Sequence, residues 1–237
     1  MKLTLMSRRK RAFTMTELFV VMVLLLFLAV GVMYFVALVP ATGRHRGASA
    51  TRIKCANNLK QVGLAYKVFA NDNDDKFPFL ITNSLAFGNV TQAWLHFQAM
   101  SNELGSARIL ICPSDSGRYN NMMSEFGMGA AANPASLVTK GNSAVSYTAS
   151  LDADETLPNV ILASDRHLLT NRFNLGGRLF LAGSNATSTS WTTNLHSGAG
   201  NFALSDGSVQ QVSSSGLGWQ VRFQGIPTNR LLLPLLP

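Results

Sequence analysis

The sequence predicts an α+β protein. A long N-terminal helix, bent near its middle, has an apolar first half suited to a membrane, and its second half packs on a C-terminal antiparallel β-sheet domain. Three observations predict this. Residues 18–39 run for 22 positions without a charge, and at 1.5 Å per residue that is about 33 Å of helix, enough to cross a hydrocarbon core. From Ala48 onward, Ile53, Leu59, Val62, Tyr66 and Phe69 approximate one face of a 3.6-residue period, with Arg52, Lys54, Lys60 and Lys67 on the rest. Beyond residue 70 the chain becomes Gly/Ser/Asn-rich, with short strand-like runs between turn residues.

The N-terminal end is basic. Lys2, Arg8, Arg9, Lys10 and Arg11 precede the apolar run, and without them the net charge falls from +8 to +3, with 15 basic residues against 12 acidic. Lys and Arg clustered there mark the cytoplasmic flank of a span. No basic stripe with interleaved aromatics remains, which argues against a nucleic-acid partner. A secretory signal peptide starts the same way, but its apolar core is about 7–15 residues long. Here the run is longer, and only Val39-Pro40-Ala41 offers a cleavage site. Neither a signal peptide nor a plain anchor accounts for Glu17. A carboxylate inside an apolar membrane helix costs about 2–3 kcal/mol even on lenient insertion scales, so it points to function.

The stretch RAFTMTELFVVMVLLLFLAVG resembles the class III signal of type IV prepilins and type II secretion pseudopilins. The resemblance implies that a prepilin peptidase cuts after Ala12 on the cytoplasmic side and methylates the new amino group of Phe13. Glu17 is then the fifth mature residue, the position that family uses in assembly. The family usually has Gly before the cut, where this chain has Ala12. The partners implied are the peptidase/methyltransferase, other pilin or pseudopilin subunits packed through the N-terminal helix, inner-membrane assembly machinery and membrane lipid. The implied location is the inner (cytoplasmic) membrane, single-pass, with the N-terminus cytoplasmic and the domain periplasmic or extracellular.

A second resemblance covers the other end. IKCANNLKQVGLAYKVFANDNDDKFPF and LHSGAGNFALSDGSVQQV are similar to stretches of a large prepilin-like bacterial group. His196, nine residues, then Asp206-Gly207 matches that group's H-X9-DG motif, whose role is unknown. ILICPSD around Cys112 and VILASDRH around Asp165 fit more loosely. The expected organisation is a cleaved leader at 1–12, a transmembrane assembly helix at 13–40, its amphipathic continuation at 41–70, and an exported pilin-like α+β domain at 71–237. The expected function is that of a structural subunit for a pilus or pseudopilus, with no catalysis of its own. The alternative is a membrane-anchored module that binds a polysaccharide or protein without forming filaments.

The elements follow in order. Pro40 removes a helix hydrogen bond and bends the long helix. Cys55 and Cys112 belong to no CxxC pair. In an exported domain they form a disulfide, closing a loop that stabilises by roughly 4 kcal/mol; the alternative is two buried thiols. Asn71 to Asp75 are turn residues. Their carboxylates make Asp72, Asp74 and Asp75 candidate calcium ligands, although the glycine and distal glutamate of an EF-hand loop are missing and a solvated turn is the plainer reading. Residues 92–104 read as a short helix with His96 on it. Runs 108–111, 144–150, 159–164 and 178–181 read as strands. Residues 201–212 read as a hairpin around a two-residue Asp206-Gly207 turn, placing Leu204 opposite Val209. Leu217, Trp219, Val221 and Phe223 alternate as in a half-buried strand.

Three sites compete for chemistry. His196 and Asp206 are able to form an acid–base or metal pair, but the turn needs Asp-Gly in any case. No nucleophile motif, P-loop or HExxH pattern occurs. Trp191, in the polar stretch 183–194, is a candidate ligand residue for sugars, with an ordinary surface loop as the alternative. The end, LLLPLLP, reads as an edge contact with a neighbouring subunit.

Overall fold

The computed structural model describes residues 14–38, 43–81, 92–127, 133–170, 173–174, 179–183 and 189–235. The chain divides into two compact units, Met1–Arg46 and Gly47–Pro237.

In the first unit, helix α1 spans Met15–Leu38. Its stretch Met15–Ala37 has a mean hydropathy of 2.9 with none of its apolar window buried, and by length and composition it is able to cross a membrane. A capping box starts it. The Glu17 N–H donates to Thr14 Oγ1 at 3.3 Å, while Glu17 Oε2 accepts from the Thr14 N–H at 3.0 Å and its hydroxyl at 3.1 Å. Such reciprocal bonds satisfy two donors that a helix start leaves unpaired.

Helix α2 spans Gly43–Asn71; the bend expected at Pro40 lies outside the described residues. Within the second unit α2 buries Cys55, Leu59, Val62, Tyr66 and Phe69, the stripe expected from the sequence with one correction. Ile53 is 57% exposed, because it lies two residues before Cys55, about 200° around the helix.

Short helices follow: α3 (Ala93–Ala99), α4 (Ser101–Leu104), α5 (Ser116–Tyr119) and α6 (Leu137–Lys140). The helix expected at 92–104 is therefore two, divided at Met100. The strand expected at 108–111 is instead a 3₁₀ turn, Ala107–Leu110, capped by the Ser106 hydroxyl. A run of three apolar residues, all buried here, has no period that separates strand from buried turn.

The strands are β1 (Tyr147–Ser150), β2 (Ile161–Asp165), β3 (Leu168–Thr170), β4 (Phe173–Asn174), β5 (Leu179–Gly183), β6 (Thr189–Trp191), β7 (Ala199–Leu204) and β8 (Val209–Ser213), followed by α7 (Ser214–Phe223) and β9 (Thr228–Leu232). Seven form one sheet in the order β4-β5-β9-β1-β2-β7-β8, and β3 pairs with β6 in a small ribbon. Every neighbouring pair is antiparallel. The fold is α+β, an apolar N-terminal helix followed by an antiparallel β-sheet domain.

The central sheet is buried on both faces, and strand alternation sorts its residues. Ala203 and Leu232 join α2 residues in one core, whereas Phe202, Leu204, Leu231 and Leu233 join Leu217 and Val221 of α7 in another. The sheet is thus a middle layer between α2 and α7. The 217–223 strand expectation is overturned here. Leu217 and Val221 are buried while Trp219 and Phe223 are 62% and 60% exposed. Both pairs are spaced i, i+4, which a helix places on two separate faces. Alternation over only four apolar positions fits either period, and the Ser213 side chain, accepting from the Gly216 N–H, starts the helix.

Two further corrections concern register. Ala203, not Leu204, pairs with Val209. The loop is Ser205-Asp206-Gly207, with the Leu204 N–H bonded to Ser208 O at 2.9 Å. Gly207 has φ +84° while Asp206 stays out of the left-handed region, so this is a three-residue turn with a glycine bulge rather than a primed two-residue turn. Leu231, Leu232 and Leu233 are not at an edge: β9 lies between β5 and β1 and all three are buried, while Leu236 and Pro237 lie outside the described residues.

Candidate functional site

The motif residues separate in space. His196 is 3% exposed and sits before β7, where Ser197 and Gly198 have φ +56° and +82°. Its Nε2 lies 3.6 Å from Cys112 Sγ, 3.3 Å from Asn201 Nδ2 and 3.4 Å from Asp165 Oδ2. Its carbonyl accepts from Arg52 of α2 at 3.0 Å. Asp165 Oδ2 in turn accepts from the Asn201 N–H at 2.7 Å and from Asn201 Nδ2 at 2.9 Å. Asp206 is exposed and far simpler: its Oδ1 accepts from the Ser208 N–H at 2.8 Å. His196 and Asp206 therefore form no pair. The carboxylate beside the histidine is Asp165, which the sequence marked only within a loose family match.

Cys55 and Cys112 form a disulfide, 57 residues apart in sequence and both fully buried. Tyr147 Oη donates to Cys55 O at 3.3 Å. The knot formed by the disulfide, His196, Asp165 and Asn201 ties α2 to the sheet. Cys55, Cys112 and His196 bring their ligand atoms within 4.8 Å of one another. That is the one such set among the described residues, but both sulfurs are spent on each other, so the oxidised chain offers no thiolate. Asp72, Asp74 and Asp75, the calcium candidates, fall outside it. They form a turn at the end of α2, with Asp74 and Asp75 at φ +54° and +57°, and the Asp75 N–H donates to Ala70 O at 2.9 Å.

Trp191 is a correction. It is 5% exposed on β6, not a ligand residue on an open loop. Its indole lies so close to Gly200 that an added Cβ there would come within 2.5 Å of the ring. Residues 184–188 of that stretch lie outside the described residues, as do Ala12 and Phe13.

A second polar cluster draws on the two loosely matching stretches, ILICPSD and VILASDRH, to whose residues 115, 166 and 167 sequence reasoning assigned no role. Asp115, 2% exposed, receives Arg166 Nε at 2.7 Å, Arg166 Nη2 at 2.9 Å and the Ser146 hydroxyl at 2.9 Å. His167 Nε2 stands 4.0 Å away. Burial alone would raise the Asp115 pKa, but the hydrogen bonds from Arg166 and Ser146, the nearby His167 and the Arg166 charge hold it well below the usual carboxylate range. Nearby Arg118 is buried and donates to the carbonyls of Asn142, Val145 and Pro234. Burial and then the Arg166 charge lower it to about 10. Arg118 and Arg166 line a cleft of ≈ 500 Å³ with Asn121, Ser143 and Leu235. No spacing rule pairs residues 115 and 166; the β1–β2 pairing sets Arg166 beside Ser146, and Asp115, at the start of α5, bonds both.

Comparison of the chain with known families, characterised proteins and solved structures finds no match.

Proposed function

We propose that the chain is a prepilin-like structural subunit. A prepilin peptidase cuts it after Ala12 and methylates Phe13. The mature chain is held in the cytoplasmic membrane with its domain outside, and it assembles through α1 into a pilus or type II secretion pseudopilus. The observation that carries this reading is α1 itself: 24 residues, apolar all round, with no part of its apolar window covered by its own chain and one carboxylate in its first turn. A helix apolar on every side needs lipid or other helices around it. A buried disulfide fits an oxidising compartment beyond the membrane.

Glu17 has a role in each state. In the single chain its carboxylate caps α1. In a filament it reaches the cationic Phe13 amine of a neighbouring subunit, so that two groups costly in an apolar core offset each other and set the axial register. The subunit carries out no covalent chemistry of its own.

The test is the mature N-terminus, read by mass spectrometry of protein from native membranes. A peptide beginning at methylated Phe13 is expected; an intact Met1 or an end near Thr42 would overturn the proposal. Glu17→Ala should leave cleavage unchanged and remove filaments from electron micrographs. Normal filaments from that variant would remove the role given to Glu17.

The second reading, an anchored module that binds a ligand without assembling, is favoured by a different observation: the arginine-lined cleft beside Leu235. Cleaved, membrane-held protein that never polymerises alongside its partners would select it.

A further inference from the structure

The arginine-lined cleft has an extension. A smaller cavity of ≈ 220 Å³ is lined by Trp94, Thr139, Lys140 and Gly141, and it shares Ser143 and Leu235 with the ≈ 500 Å³ cleft of Arg118 and Arg166. The two cavities are neighbours within the second unit and are together called the groove. The larger lobe alone falls in the range of roughly 300–1,000 Å³ found for small-ligand sites.

Charge in the groove has one sign. Lys140, Arg118 and Arg166 line it, and no carboxylate among the described residues does. Asp115 lies behind Arg166 and compensates one cation only. Its grip on Nε and Nη2 locks the Arg166 fork, and Nη1 makes no hydrogen bond among the described residues. Arg118 spends its donors on carbonyls, so it contributes charge rather than a free fork. Arg118 is buried, Arg166 is held by Asp115 and Lys140 is half-buried; cations held in place in this way complement an anion at lower reorganisation cost than freely solvated ones.

The smaller lobe indicates what carries the anion. The indole of Trp94 is fixed: its Nε1 donates to Gln92 Oε1 and its backbone N–H to Asn142 Oδ1. Gly141 lies against the indole edge, where an added Cβ would stand 3.4 Å from Nε1. A rigid aromatic plate costs little entropy to use. Around it are Thr139 and Ser143, whose hydroxyls donate to Asn133 O and Lys140 O and keep acceptor capacity for the hydroxyls of a sugar ring.

We propose that this groove binds an acidic oligosaccharide, with a sugar ring on Trp94 and a uronate carboxylate between Lys140 and the two arginines. The inference does not depend on filament formation, because the groove and α1 belong to different units.

The test is calorimetric titration of the full chain in detergent micelles with trigalacturonate at low ionic strength. Maltotriose, polyglutamate and adenosine monophosphate serve as comparators. Trigalacturonate should bind, with maltotriose at least roughly tenfold weaker. Lys140→Glu should weaken binding roughly tenfold, and Lys140→Met by less. The Lys140 side chain makes no hydrogen bond among the described residues, so both variants should keep the wild-type melting temperature. Absence of trigalacturonate binding, equal binding of maltotriose, tighter binding of polyglutamate or the nucleotide, or indifference to Lys140→Glu would each overturn the proposal. None of these results bears on cleavage at Phe13 or on assembly.

Discussion

His96 lies on α3 with 2% of its surface exposed and its ring 6.2 Å from that of Phe79. Burial lowers its pKa to about 4, whereas the unfolded chain takes up that proton near pH 6.5. Between those values the unfolded state binds more protons, so stability falls as pH falls through this window. The loss reaches roughly 3 kcal/mol near the lower end, and above about pH 6.5 it is absent. Asp115 acts in the next window down. Its depressed pKa contributes stability above the usual carboxylate range that is lost on further acidification. Urea midpoints measured at pH 7 and pH 4.5 should therefore differ strongly in the wild type and much less in His96→Leu; equal pH dependence in the two would refute the assignment. At this scale the sequence was partly legible. It placed His96 on a helix and Asp206 in a turn. It weighed a His196–Asp206 pair against a plain turn, and it gave Asp165 no part beside the histidine, because Asp165 reaches His196 only through the β2–β7 pairing.

Helix α7 is the element on which local pattern and tertiary context disagree. Its four large apolar residues satisfy a two-residue and a four-residue spacing equally well. The helix follows from what each face meets: Leu217 and Val221 close the second core, while Trp219 and Phe223 stand outside with ring centroids 5.0 Å apart. A strand would bury Leu217 and Trp219 together. Leu217→Ala should therefore cost roughly 2–4 kcal/mol, and Trp219→Ala less than about 1 kcal/mol. Chemical denaturation of both variants checks this, and comparable losses would contradict the helix. The β7–β8 hairpin makes the same point through register. One extra loop residue moves Ala203, with no bulk beyond its Cβ, onto the α2 side, where an added Cβ on Gly63 would lie 3.6 Å from it. Leu204 goes to the α7 side, and a slip of one residue would exchange the two faces.

Across the whole molecule, the Cys55–Cys112 bridge joins α2 to the loop after the Ala107–Leu110 turn. Closing 57 residues of chain stabilises by roughly 4 kcal/mol in the chain-entropy account. Reduction under mild denaturant, or Cys112→Ala, should lower the unfolding free energy of the domain by about that amount, and an unchanged midpoint under reductant would remove the bridge from the stability argument. The sequence by itself determined the apolar N-terminal helix, its lone Glu17, the amphipathic face of α2, most of the strands and the two cysteines. Those features are written in runs, periods and composition, which depend on near neighbours alone. Only the tertiary structure decided that β9 is interior, that α7 is a helix, that Trp191 is covered, and that Asp115 meets Arg166 and Asp165 meets His196. Each of these depends on which distant segment supplies the opposite wall. Burial and pairing across a sheet are set by chain closure over tens of residues, and no local pattern encodes that closure.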